Sequence, residues 1–241
     1  MPLLEVTNIS KSFGGNQAVK SLSFALEPGE ILGLIGPNGA GKTTAFNMIA
    51  GYSPPDTGEI VFKGERISGL RAWDISHRKI ARTFQLSKPF GDLTVLENVM
   101  VGGFHHQGSR LAARRKAEEV LAFVGMGAQG GVEAHNLTVV DRKRLELARC
   151  LATDPELLLL DEVVAGATPS EAVAMMEMIR KIRDMGVTII MVEHVMRVVM
   201  GLSHRVLVLH HGETIAIGDP QTVSRDPLVL KAYLGARYGT A

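Results

Sequence analysis

The sequence predicts an α/β fold in which helices cover both faces of a largely parallel sheet. Three apolar runs, at 31–35, 157–160 and 187–192, lack strict alternation, which is typical of parallel strands buried on both faces. Between the first two runs, residues 111–124 and 141–152 show the periodicity of helices. These patterns together indicate a core built from strands and helices in alternation.

Three further regions complete the predicted domain. An alternating, turn-rich segment predicts a small antiparallel β subdomain over about 1–30 and 55–80. The helical stretch at about 86–150 is predicted to be a subdomain inserted into the α/β core, and about 220–241 a short C-terminal tail. The remainder forms the core, so we expect residues 1–241 to make one domain.

The composition is that of an ordinary globular protein. Hydrophobic residues make up 46% of the 241 residues, which is enough to fill a core. Lys and Arg number 26 against 25 Asp and Glu, so no strong field attracts DNA, RNA or an anionic bilayer, and we expect no nucleic-acid partner. The apolar runs are shorter than the roughly 20 residues of a membrane-spanning helix. With Cys150 as the one cysteine and no basic, apolar targeting start, these features favour the cytoplasm.

A glycine-rich segment follows the first apolar run and precedes the helix-like stretch 44–50. It fits G-x-x-x-x-G-K-[ST], and with the next residue it comprises Gly36, Pro37, Asn38, Gly39, Ala40, Gly41, Lys42, Thr43 and Thr44. Glycines let backbone N–H groups turn towards a polyphosphate, and the helix N-terminus adds positive potential. Lys42 is then expected to reach the β- and γ-phosphates, and Thr43 to bind Mg²⁺. The alternative, a simple glycine-rich turn, is disfavoured by the strand before it and the helix after it.

Asp161 and Glu162 directly follow the second apolar run. They therefore lie at the carboxyl end of a buried strand, the edge where open α/β sheets bind ligands. We expect Asp161 to hold Mg²⁺ through water. Glu162 is expected to orient and deprotonate the water that attacks the γ-phosphate of ATP, a role usually worth ~10²–10⁴ in rate. The alternative is that the two acids merely end a strand, but a neighbouring phosphate loop favours the catalytic interpretation.

The order of these motifs resembles that of the ABC ATPase family, from about residue 3 to residue 235. The resemblance implies a P-loop NTPase (RecA-like) core with an antiparallel β subdomain and an inserted helical subdomain. It also implies that Phe13 stacks on adenine, that Gln85 links Mg²⁺ and water to a permease, and that His194 contacts the γ-phosphate. The alternatives are a core phenylalanine and an ordinary surface glutamine. We assign no metal site to the other seven histidines.

Within that family, the sequence at 81–86, at 93–99 and at 232–235 looks most like importers of branched-chain amino acids, with urea and short amides left open as cargo. The resemblance implies a peripheral protein on the cytoplasmic face of the inner membrane. Membrane permease subunits and an external substrate-binding protein would select the cargo. We expect residues 85–92 to contact a short permease helix. The contacts are assigned to Leu86, Lys88, Pro89, Phe90 and Asp92.

The family signature, commonly Leu-Ser-Gly-Gly-Gln, has diverged at 137–141 to Leu-Thr-Val-Val-Asp. In the family this segment caps a helix that reaches the γ-phosphate held by an opposing subunit. Thr138 keeps the hydroxyl, but Val139 and Val140 replace glycines that allow close backbone approach. We therefore expect pairing with a second, related ATPase, the alternative being a homodimer. At Thr168, where the family often has aspartate, the sequence predicts a capped helix start.

Three functions are consistent with these motifs. The first is an ATPase that powers an importer, and the second is the similar ATPase of lipopolysaccharide export. The third is a nucleotide-dependent regulatory module that hydrolyses ATP weakly, suggested by Val140 and Thr168. Glu162 and His194 favour the two hydrolytic functions.

Overall fold

The described residues form two β-sheets, with helices packed against them. The computed structural model describes residues 1–85, 88–104 and 108–234, except for the side chain of Leu234. The strands are β1 (Leu4–Phe13), β2 (Asn16–Leu26), β3 (Ile31–Ile35), β4 (Thr57–Phe62), β5 (Glu65–Arg66), β6 (Ile80–Arg82), β7 (Leu157–Asp161), β8 (Thr188–Val192), β9 (Arg205–His210) and β10 (Glu213–Gly218). The α-helices are α1 (Lys42–Ile49), α2 (Ala72–His77), α3 (Val95–Gly103), α4 (Arg110–Phe123), α5 (Val139–Leu151), α6 (Pro169–Asp184), α7 (Met196–Leu202), α8 (Pro220–Val223) and α9 (Pro227–Leu234).

The central sheet has the strand order β10-β9-β3-β8-β7-β6. Its strands run parallel, apart from the antiparallel edge strand β10. Every residue of β3, β7 and β8 is buried, which confirms the predicted parallel strands covered on both faces. Strand β6 was not predicted because its three residues are too few to show a period. The sheet brings the carboxyl ends of β3, β7 and β8 to one edge.

The second sheet is antiparallel, with the order β2-β1-β4-β5. In strand β1, Leu4 pairs with Leu26 of β2 on one side and with Phe62 of β4 on the other. The side chains of Phe46 and Ile49 on α1 belong to one hydrophobic cluster with residues of both sheets. Helix α1 is therefore packed between the sheets, which fixes the loop that precedes it.

Helices α3, α4 and α5 form a helical region between β6 and β7 in the chain. Helix α3 begins with a capping box between Thr94 and Glu97. Helix α5 begins two residues before the predicted start, because the Thr138 side chain caps it by accepting from the Asp141 backbone N–H. Its Leu145 and Ala148 are buried in the larger hydrophobic cluster, as the periodicity predicted.

Helix α6 begins as the sequence predicted. The Thr168 side chain accepts from the backbone N–H of Glu171, whose carboxylate accepts from the Thr168 backbone N–H at 2.7 Å. This capping box, with proline in the first turn, confirms the structural interpretation of Thr168.

Among the helices of the described residues, none is both long and apolar enough to cross a bilayer.

Candidate functional site

The glycine-rich loop connects β3 to α1 and depends on glycine at two positions. Gly36 and Gly41 have φ angles of 150° and 105°. A Cβ atom at Gly36 would lie 2.1 Å from the Leu209 carbonyl oxygen, and one at Gly41 would lie 2.4 Å from the Ala18 carbonyl oxygen. Because neither backbone atom is free to move aside, any side chain there would distort the loop.

Lys42 is the first residue of α1, and its side chain turns back into the loop. Its Nζ donates to the carbonyl oxygens of Gly36 at 2.7 Å and Pro37 at 3.0 Å. Burial lowers the pKa of Lys42, and the carboxylates of Glu162 and Asp161 oppose that shift. The loop therefore surrounds a desolvated cation, which suits it to bind an anion.

Asp161 is the last residue of β7 and is only 4% exposed. Its Oδ2 lies 3.3 Å from Nη2 of Arg82, and its backbone N–H donates to Thr83 Oγ1 at 2.9 Å. Burial raises the pKa of the Asp161 carboxyl, and the Arg82 guanidinium opposes this rise. The ion pair with Arg82 thus holds the carboxylate in place at the edge of the sheet.

Glu162 brings together two other predicted residues. Its Oε1 lies 2.6 Å from Nε2 of His194, and its Oε2 accepts from Nε2 of Gln85 at 3.2 Å. A His194 tautomer with its hydrogen on Nε2 donates to this carboxylate. Glu162 is also one of the non-glycine residues with a left-handed backbone, at φ 52°.

A cavity of about 500 Å³ joins the phosphate loop to these side chains. It is lined by Phe13, Asn16, Ala18, Asn38, Gly39, Ala40, Gly41, Lys42, Thr43, Thr44, Gln85, Glu162, Val192 and His194. Most of the predicted site residues therefore meet at one opening, although Asn16, Ala18 and Val192 were not predicted. Ala18 and Val192 carry no chemical group that a sequence pattern reveals, and the Asn16 amide belongs to no motif recognised in the sequence.

Phe13 ends β1 at the rim of this cavity and is 55% exposed. The alternative of a core phenylalanine is therefore wrong. The Lys11 Nζ lies 5.8 Å from the centre of its ring. An exposed ring beside a cavity is available for stacking, which a buried ring would not be.

Thr138 does not line the cavity. It caps α5 through Oγ1, which accepts from the Asp141 backbone N–H at 3.1 Å and donates to Asp141 Oδ2 at 2.9 Å. The next residue, Val139, is 62% exposed on the first helical turn. The exposed Val139 side chain is therefore available to a molecule that docks on the N-terminus of α5, while Val140 is partly buried.

A second cavity, of about 640 Å³, opens beside the first. We call it the groove. It includes Thr43, Arg82, Gln85 and Asp161 together with side chains from α2, α3 and α5. The Arg82 guanidinium carbon lies 5.6 Å and 5.2 Å from the ring centres of two groove residues, Tyr52 and Phe84. The contact of Arg82 with these rings was not predicted from the sequence, because the two rings come from separate parts of the chain.

A phosphate loop at the carboxyl edge of a parallel sheet defines the class of this protein: its fold is that of the P-loop NTPases. Comparison with known families then gives the particular assignment. The chain belongs to the ABC transporter family, whose model matches residues 19–165. A second model, for branched-chain amino acid ATP-binding cassette transporters, matches residues 213–239. The resemblance identified from the sequence is thereby confirmed.

Known proteins are similar over nearly the whole chain. The high-affinity branched-chain amino acid transport ATP-binding protein LivG of Escherichia coli K12 is 38% identical, covering 97% of this chain and 98% of that protein. The lipopolysaccharide export system ATP-binding protein LptB of Acidithiobacillus ferridurans is 31% identical, covering 98% of each. A crystal structure of a nucleotide-free cassette from an ABC transporter has a TM-score of 0.90 at 29% identity, covering 98% of this chain and 100% of that one. The ADP conformation of a cassette has a TM-score of 0.89 at 29% identity, covering 98% and 99%.

Proposed function

We propose that this chain binds and hydrolyses ATP and that the hydrolysis powers a membrane permease. The observation that carries the proposal is the meeting of Glu162, His194 and Gln85 at the mouth of the phosphate loop. The similar cassette solved with ADP supports a nucleotide as the ligand. We assign stacking on adenine to Phe13, at the rim of the same cavity.

Binding of the triphosphate is assigned to the loop from Gly36 to Thr44. The loop N–H groups and the N-terminus of α1 attract the phosphates. Lys42 exchanges its two carbonyl acceptors, on Gly36 and Pro37, for phosphate oxygens. Because the ammonium is already desolvated within the loop, it needs little reorganisation to make this contact.

Mg²⁺ fits the residues around the triphosphate. We assign it to Thr43 Oγ1, Asp161 and Gln85, which offer the oxygen ligands that Mg²⁺ prefers. The buried carboxylate of Asp161, which pairs with the Arg82 guanidinium, supports the assignment of Mg²⁺ to this position. When bound, the ion would neutralise charge on the β- and γ-phosphates. The described residues contain no group of three or more His, Cys, Asp or Glu that would hold a metal alone, so the phosphates are expected to complete the coordination.

Glu162 and His194 are assigned to the hydrolytic step. Glu162 orients a water and accepts its proton while the water oxygen attacks the γ-phosphorus. The bond from that phosphorus to the bridging oxygen breaks, which leaves ADP and inorganic phosphate. His194 holds the carboxylate through its Nε2 hydrogen and is positioned to contact the γ-phosphate.

We assign the groove to a short cytoplasmic helix of the permease. Tyr52 and Phe84 present ring surfaces there, and Lys88 and Arg149 lie at its edge. Phe90, 46% exposed, lies 4.7 Å from the Arg149 guanidinium carbon and supplies a further apolar contact beside the groove. Leu86, predicted as another contact, lies outside the described residues.

For cargo we propose branched-chain amino acids or related small molecules, taken up by import. The match of residues 213–239 to the branched-chain amino acid model and the similarity to LivG support this choice. The similarity to LptB makes lipopolysaccharide export the second candidate. In the import assembly, an external substrate-binding protein delivers the cargo, and this chain acts peripherally on the cytoplasmic face of the inner membrane.

We propose that the working assembly contains a second ATPase subunit. In such a pair, Thr138 and the N-terminus of α5 face the nucleotide of the opposing subunit. A homodimer would place the Val139-Val140 signature at both composite sites, whereas a distinct partner could supply a glycine-rich signature to one of them. The exposed Val139, on the face that would meet the partner, supports the distinct partner. A homodimer is the alternative.

Reconstitution tests these proposals together. The chain, its co-purified permease and any second ATPase are placed in vesicles, and ATP hydrolysis and uptake of radiolabelled leucine are measured. ATP-dependent uptake supports the importer. Hydrolysis without uptake, but with release of lipopolysaccharide from the membrane, supports the second candidate. Absence of hydrolysis in the complete assembly supports a regulatory module and overturns the proposal.

A further inference from the structure

A lysine on α5 contacts the backbone of the proposed catalytic residue. Lys143 lies in the second turn of this helix, and its Nζ donates to the backbone carbonyl oxygen of Glu162. Burial lowers the pKa of Lys143, and carboxylates, first that of Glu193 and then that of Glu162, oppose the shift. Helix α5 therefore contacts the backbone of Glu162 through this amine.

The backbone of Glu162 needs this support. Its φ of 52° lies in the left-handed region, which is unfavourable for a residue that carries a side chain. Its N–H donates to the Val192 carbonyl oxygen at 2.9 Å, and its carbonyl oxygen accepts from Lys143. Such conformations persist where surrounding contacts hold them, and they cluster at functional sites.

Glu193 is the acidic neighbour of the lysine and is 3% exposed. Its Oε1 accepts from the backbone N–H of Val164 at 3.0 Å, and His194 is the next residue in the chain. Burial raises the pKa of Glu193, while Val164, Lys143 and His194 oppose the rise. One carboxylate thus joins the segment that follows Glu162 to the segment that contains His194.

We propose that Lys143 and Glu193 are positioning residues for hydrolysis, an inference that rests on the proposed role of Glu162. Lys143 fixes the strained backbone of Glu162, and Glu193 keeps Val164 and His194 in register with it. The pair also connects α5, whose N-terminus carries the diverged signature, to the attacking water. A movement of α5 on docking of the second subunit is then transmitted to Glu162 through a hydrogen bond within one chain.

The alternative is that the two charged side chains only stabilise the fold. The two roles differ in what they change. A positioning pair alters turnover and local mobility at the site, whereas a stabilising pair lowers the melting temperature and leaves turnover of the folded protein unchanged. Measuring all three quantities separates the roles.

The test uses the full chain with Lys143→Met, which removes the donor, and Glu193→Ala, which removes the acceptor. Lys143→Arg and Glu193→Gln keep a donor and an acceptor. Lys181→Met is the matched control, since Lys181 is an exposed lysine on α6. The melting temperature of each variant is measured, and hydrogen exchange is measured without nucleotide over residues 162–166 and 193–196, with β1 as the reference segment. ATP affinity and single-turnover hydrolysis are then measured with Mg²⁺ in the chain's complex with its permease.

We expect Lys143→Met and Glu193→Ala to speed exchange in both segments about 10-fold and to slow single turnover by about 100-fold, the size of a small misplacement in a catalytic site. ATP affinity should change less than about 3-fold, because neither residue lines the nucleotide cavity. Lys143→Arg and Glu193→Gln should recover most of the rate. Unchanged exchange, or an unchanged rate in folded protein, overturns the inference. A Glu162→Gln protein that hydrolyses ATP normally would instead overturn the proposed function.

Discussion

Arg82 and Asp161 form an ion pair in which the two side chains are only 8% and 4% exposed, with 3.3 Å between Nη2 and Oδ2. The same guanidinium donates to Asn47 Oδ1 at 2.5 Å and lies 5.2 Å from the ring centre of Phe84. One side chain therefore contacts both the groove and the carboxylate assigned to Mg²⁺. A permease segment that packs on the Phe84 ring would contact the surroundings of Arg82, the residue that pairs with Asp161.

Arg82→Met should destabilise the protein by about 3 kcal/mol at pH 7.5, because it leaves a buried carboxylate without its cation. The pKa of Asp161 is already raised by burial, and loss of Arg82 raises it further. When the pKa of a carboxyl is higher in the folded than in the unfolded state, the protein loses stability as pH rises through the folded-state pKa. The loss should therefore be smaller at pH 5.0 than at pH 7.5.

Denaturant unfolding at the two pH values checks this, with Arg71→Met as the control. Arg71 pairs with Asp74 at 3.4 Å, but its side chain is 85% exposed, so its removal should cost less than about 1 kcal/mol. Equal losses in the free energy of unfolding for Arg82→Met and Arg71→Met would show that burial of the Asp161 carboxylate does not depend on Arg82.

Thr168→Ala should cost about 1 kcal/mol, because it removes the side-chain cap of α6. For a chain of this size, that corresponds to a fall of roughly 2–4 °C in melting temperature. ATP turnover should stay within about 2-fold of the native rate, and Thr168→Ser should restore the stability. A large loss of turnover without a change in stability would mean that Thr168 acts on the nucleotide rather than on the helix.

Phe90→Ala should uncouple hydrolysis from transport. The Phe90 backbone is held by Asn98, whose Oδ1 accepts from its N–H at 2.9 Å and whose Nδ2 donates to its carbonyl at 3.0 Å. The Phe90 ring is 46% exposed and belongs to neither hydrophobic core cluster of the described residues. Basal ATPase activity of the isolated chain should stay within about 2-fold while leucine uptake falls at least about 10-fold. Parallel loss of both activities, with a lower melting temperature, would make Phe90 a folding residue.

Replacing Val139 and Val140 together by glycine tests the diverged signature. Val139 is exposed at the N-terminus of α5, so the change removes bulk that faces a docked subunit. Two glycines in a helical turn cost roughly 1–2 kcal/mol of helix stability, which is the expected side effect. ATPase activity of the paired subunits should rise about 3-fold or more if the valines obstruct the opposing nucleotide. Val139→Ala with Val140→Ala controls for bulk without added flexibility.

The sequence predicted the parts of this protein that a local pattern encodes. The buried runs form β3, β7 and β8, and the G-x-x-x-x-G-K-T pattern forms the loop ahead of α1 and the first two residues of that helix. Thr168 was recognised as a cap because capping depends on residues only three apart. Strands of few residues, such as β6, carry no period and were missed.

The contacts that no local pattern encodes could not be predicted. Arg82 is surrounded by rings from α1, from the loop after it and from the segment that follows β6. Lys143 and Glu193 are 50 positions apart in the chain, yet both act on the backbone around Glu162. Such networks are set by tertiary packing, so they become visible only when the fold is known.

The central claim is that Glu162 is the base for hydrolysis at a site that binds ATP independently of it. Glu162→Gln keeps the shape of the side chain and a hydrogen bond to its neighbours but cannot take a proton. Lys42→Ala is the matched comparison, because it removes the cation within the loop and should lose ATP binding itself. Each variant is measured for nucleotide affinity and for single-turnover hydrolysis. The account predicts that Glu162→Gln binds ATP within about 3-fold of the native affinity while its hydrolysis rate falls by at least ~10². Native-like hydrolysis by Glu162→Gln would contradict it.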